Sequence, residues 1–277
     1  MHVERDMLKL FQSAFHLFGI ELVRRKQGYI YAPDFSFPKY LGKASHKRDN
    51  IRQSKLINIR DLRPFGPLAA DVIEPKKSLL YYDRLYTIYQ AVSNMKLREV
   101  GLNLNLAEVG VYKGGTSYFI LSVVESLVLG PATLHCFDTF EGHSSEDVQA
   151  EADSRQPVAA FNDTAYDAVA AYLGKFPNAK IYQGRFQDTS VRVADKTFAF
   201  VHLDVDLYEP TLFALKFFDG QLIEGGIFVV DDYGSTTCPG VQKAVDEFTT
   251  GNNNYIFFHL LIGQCILIKC SPGPRRR

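Results

Sequence analysis

Two short acidic clusters carry the strongest chemical signal in the chain. VHLDVDLYEPT holds Asp204 and Asp206, VVDDYG holds Asp231 and Asp232, and each pair closes an apolar run. Such runs read as buried parallel strands, and neighbouring strands lie ~4.8 Å apart with their carboxyl ends on one edge of the sheet. Four carboxylates gathered there would repel one another strongly. A hard divalent cation resolves the repulsion: carboxylate oxygens with open water positions suit Mg2+, with Mn2+ or Ca2+ as substitutes.

A second constellation is AEVGVYKGGTS, residues 107–117. Gly110, Gly114 and Gly115 let a backbone come close to a ligand, and the start of the next helix offers free N–H groups and the Thr116 and Ser117 hydroxyls to an anion such as a carboxylate. The spacing is neither G-x-G-x-x-G nor G-x-x-x-x-G-K-[ST], and Glu108 disfavours a phosphate while suiting a cationic ligand. Asp138 closes the following run, LHCFD, where an acid can accept both hydroxyls of a ribose.

These residues need a framework that delivers them to one edge. From Leu102 onward the chain alternates short apolar runs with amphipathic stretches, a rhythm that predicts right-handed crossovers and a doubly wound, mostly parallel α/β sheet. Strands are expected at the LNLNLAEVGV and LHCFDTF segments and at 180–182, 198–206 and 226–232, with helices at 117–129, 166–176, 208–218 and 240–248. Residues 255–262 and 265–270 predict an antiparallel hairpin turned at Gly263 and Gln264 in type II′ geometry. Before a soft boundary near Glu99 the reading is a helix at 5–18, a strand pair at 21–23 and 28–31, and an irregular stretch to Pro75. A helix at 78–95 follows, with Leu79, Tyr82, Leu85, Tyr86 and Tyr89 on one face. The basic run at 45–55 reads as a solvated loop, with a mobile cover over a site as the other reading.

The ordered segments EVGVYKGGTS, FDTFEG, GRFQDT, HLDVDLYEPT and DDYGSTTCPGVQKAVDEF, spanning residues 107–248, together resemble the macrocin O-methyltransferase family. These are metal-dependent enzymes that use S-adenosylmethionine to methylate sugar hydroxyls of macrolide and aminocoumarin antibiotics. The resemblance implies a class I methyltransferase fold. The change of texture along the chain, together with that fold, gives the expected division: a mainly helical amino-terminal or lid region at 1–99, an S-adenosylmethionine-binding domain at 100–271 and a disordered tail at 272–277. It implies that Glu108, Gly110, Thr116 and Ser117 hold the methionine end of the cofactor and Asp138 its ribose, while Gly184, Arg185, Phe186 and Asp188 line the adenine. Asp204, Asp231 and Asp232 would bind the metal, Asp206 would be the general base, and His143, just after FDTFEG, would reach the acceptor. His202, inside an apolar strand, reads as a core residue.

The expected activity is methyl transfer to a sugar hydroxyl of a glycosylated natural product such as a macrolide. A catechol-like or polysaccharide acceptor, a metal-dependent hydrolase and a non-catalytic methyltransferase-like partner protein are the alternatives. With 31 basic and 31 acidic residues among 277, the net charge is zero, which speaks against a nucleic-acid or anionic-membrane partner. The amino-terminal residues lack a signal-peptide pattern and the longest apolar stretches fall short of the ~20 residues of a membrane span, so a cytoplasmic protein is expected. Cys136, Cys238, Cys265 and Cys270 show no CxxC spacing, which excludes the usual zinc frameworks. Family analogy and the aromatic-rich first region suggest a homodimer.

Overall fold

A computed structural model of the chain describes residues 23–25, 28–30, 58–95, 104–149 and 151–270. The chain divides into two compact units, Met1–Asn58 and Ile59–Arg277. In the first, β1 (Val23–Arg25) pairs antiparallel with β2 (Gly28–Ile30), two residues later on its first strand than expected. The helix expected at 5–18, the basic run at 45–55 and the tail at 272–277 lie outside the described residues.

The second unit is built on a seven-stranded sheet in the order β5-β4-β3-β6-β7-β9-β8. Its strands are β3 (Leu104–Val109), β4 (Ala132–Asp138), β5 (Ala179–Gln183), β6 (Phe198–Leu203), β7 (Leu222–Val230), β8 (Tyr255–His259) and β9 (Cys265–Lys269). The first five run parallel, and β9 and β8 close the sheet antiparallel. Its helices are α1 (Phe65–Ile73), α2 (Tyr82–Asn94), α3 (Gly115–Ser126), α4 (Tyr166–Leu173), α5 (Phe186–Thr189), α6 (Tyr208–Asp219) and α7 (Pro239–Thr249). None of the described helices is long and apolar enough to cross a membrane.

Strand alternation splits the core into two layers. Leu106, Leu134, Phe200 and Val229 pack with Phe65, Leu85, Ile88 and Phe119 from α1, α2 and α3. Val109, Val201, Leu203 and Phe228 face the other way, onto Leu212, Leu215, Phe218, Val241 and Val245 from α6 and α7. Residues 59–95 thus belong to the unit that contains the sheet, on the amino-terminal side of the boundary expected near Glu99.

Three local expectations are corrected. The stretch before Pro75 contains α1, because Gly66 and Pro67 sit in its first turn, where a missing N–H costs nothing. Phe65 anchors it, fully buried and edge-on to Tyr86 and Phe119 at 5.0 and 6.0 Å. Helix α2 begins at Tyr82 rather than 78, which leaves Ser78 free to bond with α3. The hairpin pairs His259 with Cys265, so its loop is the five residues 260–264 and not a two-residue turn. Leu260 N–H donates to the Gln264 carbonyl at 2.8 Å and Gly263, at φ 91°, donates back to Leu260 at 3.0 Å.

Candidate active site

Strands β6 and β7 end in register, Leu203 opposite Val230, so Asp204 and Asp231 leave the sheet side by side. Asp231 N–H donates to the Leu203 carbonyl at 2.8 Å and Asp204 N–H to the Val109 carbonyl at 2.9 Å. Asp206 and Asp232 follow in the left-handed region, at φ 61° and 59°, a conformation uncommon outside glycine and tolerated best by Asp and Asn. All four acids line one cleft that is open to solvent. Gly110, Thr116, Asp138, His143, Gly184, Arg185 and Phe186 line the same cleft.

The acids form two sets. Ligand atoms of His202, Asp204 and Asp231 lie within 4.8 Å of one another, as do those of Asp206, Asp232 and Cys238. The expected ligands Asp204, Asp231 and Asp232 are therefore divided between them. Arg84, from α2, joins the sets: its Nη1 donates to Asp231 Oδ2 at 3.0 Å and Asp232 Oδ1 at 3.1 Å, while Nε donates to the Ile262 carbonyl at 3.3 Å. Sequence reasoning missed this residue, since an arginine within YYDRLYTIYQ looks like part of a solvated helix face.

Burial, and then the charges of Asp231, Asp232 and Asp206, push the Asp204 carboxyl well above the ordinary range. Burial and Asp231 likewise push Asp232 up to about 7. Burial opposes the charge on Arg84, but Asp231, Asp232 and Asp204 outweigh it and hold the guanidinium pKa above its ordinary value. Asp206 moves the other way: burial would raise it, yet contacts with His143, Cys238 and Asp232 leave it lowered. His143 Nε2 lies 3.6 Å from Asp206 Oδ2, and Cys238 Sγ donates to Oδ1 at 3.2 Å. The buried Nδ1 of His143 has no hydrogen-bond partner among the described residues.

On the other side of the cleft, Gly110 has φ +88°, and a Cβ there would stand 1.8 Å from the Asp204 carbonyl oxygen. The close approach that this glycine permits is thus to the main chain of the acidic rim. Gly115 N–H donates to the Lys77 carbonyl at 3.1 Å, and the Thr116 and Ser78 hydroxyls lie 3.0 Å apart. Asp138 organises the turn: Oδ2 accepts from Val111 and Tyr112 N–H and Oδ1 from Phe140 N–H, each at 2.7 Å.

Three expected cofactor residues stand off the cleft. Glu108 and Ser117 are fully buried beneath it, where Ser117 Oγ donates to Glu108 Oε2 and His202 Nδ1 lies 3.0 Å from Oε1. The register explains this, because Glu108 on β3 faces His202 on β6. Asp188 is exposed, turned outward by the short helix α5. Gln187 and Asp147 line the cleft instead, and Arg185 Nη2 and Gln187 Nε2 both donate to Asp147 Oδ1 at 2.8 Å. The Phe186 ring stands edge-on to Phe137 at 5.0 Å.

Comparison with known proteins adds to this geometry. A family profile described as macrocin O-methyltransferase (TylF) matches residues 43–256. The chain is 28% identical over 176 residues to demethyldecarbamoylnovobiocin O-methyltransferase of Streptomyces niveus, covering 60% of this chain and 64% of that protein. It is 27% identical over 156 residues to 8-demethyl-8-(2,3-dimethoxy-alpha-L-rhamnosyl)-tetracenomycin-C 4'-O-methyltransferase of Streptomyces olivaceus, covering 53% and 59%. The matched stretches thus span less than two thirds of these relatives. Among solved structures, the O-methyltransferase NovP aligns with TM-score 0.59 at 23% identity, covering 70% of this chain and 82% of that one. The calicheamicin methyltransferase CalS11 aligns with TM-score 0.54 at 18% identity, covering 89% and 97%. At these identities the likeness establishes the fold, a methyltransferase sheet closed by antiparallel strands.

Proposed function

The chain belongs to the macrocin O-methyltransferase family, and from that premise we propose that it transfers the methyl group of S-adenosylmethionine to a sugar hydroxyl of a glycosylated small molecule, with Mg2+ as the required cation. The observation that carries this reading is the meeting of the glycine turn and the acidic rim on one cleft. The tetracenomycin relative, named for a rhamnosyl-bearing substrate, supports a sugar acceptor.

The residues present fit both groups. Gly110, Thr116, Asp138 and the segment from Gly184 to Phe186 offer a turn, a hydroxyl, an acid and an aromatic wall for an adenosyl sulfonium. Asp231 Oδ1 is buried with no hydrogen-bond partner among the described residues, and the charge crowding around Asp204 favours a hard divalent cation in an all-oxygen setting. Asp204, Asp231 and Asp232 would hold that cation. When bound, S-adenosylmethionine supplies an electrophilic methyl and the cation supplies positive charge that eases deprotonation of the acceptor hydroxyl.

The side chains of the cleft do the rest. Asp206, with its lowered pKa, is ionised at neutral pH and can accept the acceptor proton as general base. His143, whose Nε2 lies 3.6 Å from its Oδ2, can orient the carboxylate and take the proton on from it. Holding nucleophile and methyl donor in line is the main service of such a site. The four unbridged cysteines suit a reducing compartment such as the cytoplasm.

The test is transfer of labelled methyl from S-adenosylmethionine to glycosylated macrolides, simple sugars, polysaccharides and catechols, with Mg2+ or with chelator. Cation-dependent labelling of a glycosylated acceptor is expected. Absence of S-adenosylmethionine binding by folded protein in isothermal titration would sink the proposal, and turnover of phosphoesters without the cofactor would replace it with a hydrolase.

A further inference from the structure

We propose that Phe161 is the platform for the acceptor's sugar: the C–H face of a pyranose ring rests on this side chain while one of its hydroxyls reaches Asp206. The inference rests on the sugar-acceptor reading above and deepens it by naming a residue that binds the sugar.

Phe161 belongs to the stretch between β4 and α4. It lines the cleft together with His143, Ser144 and Asp206, yet 39% of its surface remains exposed. An aromatic side chain left open on the wall of a cleft is surface for a ligand to cover. Its ring centroid lies 5.3 Å from that of His143, whose Nε2 is 3.6 Å from Asp206 Oδ2. Its other ring neighbour in the cleft is Tyr112, at 5.8 Å, whose N–H donates to Asp138 Oδ2. The side chain therefore links the base to the turn assigned to the cofactor. The body of a sugar must occupy that neighbourhood if one hydroxyl is to meet both base and methyl donor.

The platform is fixed before any ligand arrives. Ala159 and Phe161 have φ 61° and 63°, a region that bulky residues enter rarely and only where the surroundings impose it. His143 N–H donates to the Ala160 carbonyl at 3.0 Å and Ala159 N–H to the His143 carbonyl at 2.9 Å, so one pair of bonds positions both His143 and Phe161. On the far side of Phe161, Asp163 accepts from Tyr112 Oη at 2.8 Å and from Lys113 Nζ, and Thr164 Oγ1 donates to the Tyr112 carbonyl at 2.6 Å. A side chain pinned on both flanks loses little freedom on binding. A pyranose suits it, because the slightly positive C–H bonds of one sugar face meet the negative face of an aromatic ring. The hydroxyls at the sugar's rim are then left for polar neighbours such as His143 and Ser144.

The experiment is saturation-transfer NMR on the full chain with Mg2+ and the demethylated cofactor S-adenosylhomocysteine, with methyl α-L-rhamnopyranoside as the probe. Transfer concentrated on the C–H protons of one sugar face is expected in the unaltered protein and in Phe161→Tyr. It should fall at least ~5-fold in Phe161→Ala and in Phe161→Leu, while S-adenosylmethionine affinity stays within a few fold in all three variants. Phe161→Leu keeps the apolar bulk, so its loss of transfer separates the ring from mere packing, and it decides the matter should Phe161→Ala not fold. Transfer to the sugar unchanged in Phe161→Leu, or absent from the unaltered protein, would overturn the assignment and leave the methyltransferase reading standing. So would a loss of S-adenosylmethionine affinity in Phe161→Leu, which would give the ring to the cofactor, or transfer to pyrocatechol in place of the sugar. Failure of the unaltered protein to bind S-adenosylhomocysteine would instead remove the functional reading itself, and this inference with it.

Discussion

Arg84 places a guanidinium against Asp231 and Asp232, so the acidic rim carries its own counter-charge. Asp231 is fully buried and Arg84 about a quarter exposed, and removing one partner of a buried pair costs ~3–5 kcal/mol, here towards the lower end. Arg84→Met should therefore lose about 3 kcal/mol in urea unfolding with chelator present, and should regain more stability on adding Mg2+ than the unaltered protein does. Equal gains in the two proteins would show that arginine and cation do not compete. For the chemistry, Asp204→Asn should abolish methyl transfer while leaving S-adenosylmethionine affinity within a few fold, as titration and turnover measure separately. Asp206→Asn should slow single-turnover methyl transfer more than it weakens cation binding. An unchanged single-turnover rate would pass the role of base to His143.

Between strands, a buried polar link stands in for part of the apolar packing. His135 on β4 bridges Tyr182 Oη on β5 at 2.9 Å and Asn105 Oδ1 on β3 at 3.1 Å. Burial, and then Lys196 and Lys180, push its pKa from 6.5 down to about 4. The unfolded chain then binds the extra proton first, so this contribution is complete above pH ~6.5 and is lost as pH falls towards about 4. Melting temperature should fall across that window, and His135→Phe should flatten the slope. At the neighbouring turn, Gly110→Ala would force a Cβ to 1.8 Å from the Asp204 carbonyl at φ +88° and should cost at least ~2 kcal/mol, with loss of both cofactor and cation binding. The parallel strands were legible because each apolar run stops at an acid or a glycine turn. Helix α1 was not, because Gly66-Pro67 reads as a break when its place in a first helical turn is unknown. The positions of Arg84 and Glu108 were hidden for another reason: their partners lie 147 and 94 residues away, and only strand register and helix packing bring them together.

Taken whole, the molecule combines zero net charge with a greasy sheet edge. Ile256, Phe257 and Phe258 on the edge strand β8 are 49%, 39% and 50% exposed, and such an edge invites pairing with another chain. Phe258→Lys should reduce concentration-dependent association in light scattering without changing S-adenosylmethionine affinity. No reduction would place any self-contact elsewhere. The seam at Asn58 and Ile59 bears on engineering: chimeras that borrow a front portion from a relative to alter acceptor choice should be spliced there and not near residue 99. A later junction would import a foreign α2 and put at risk the Arg84 guanidinium that holds Asp231 and Asp232 together.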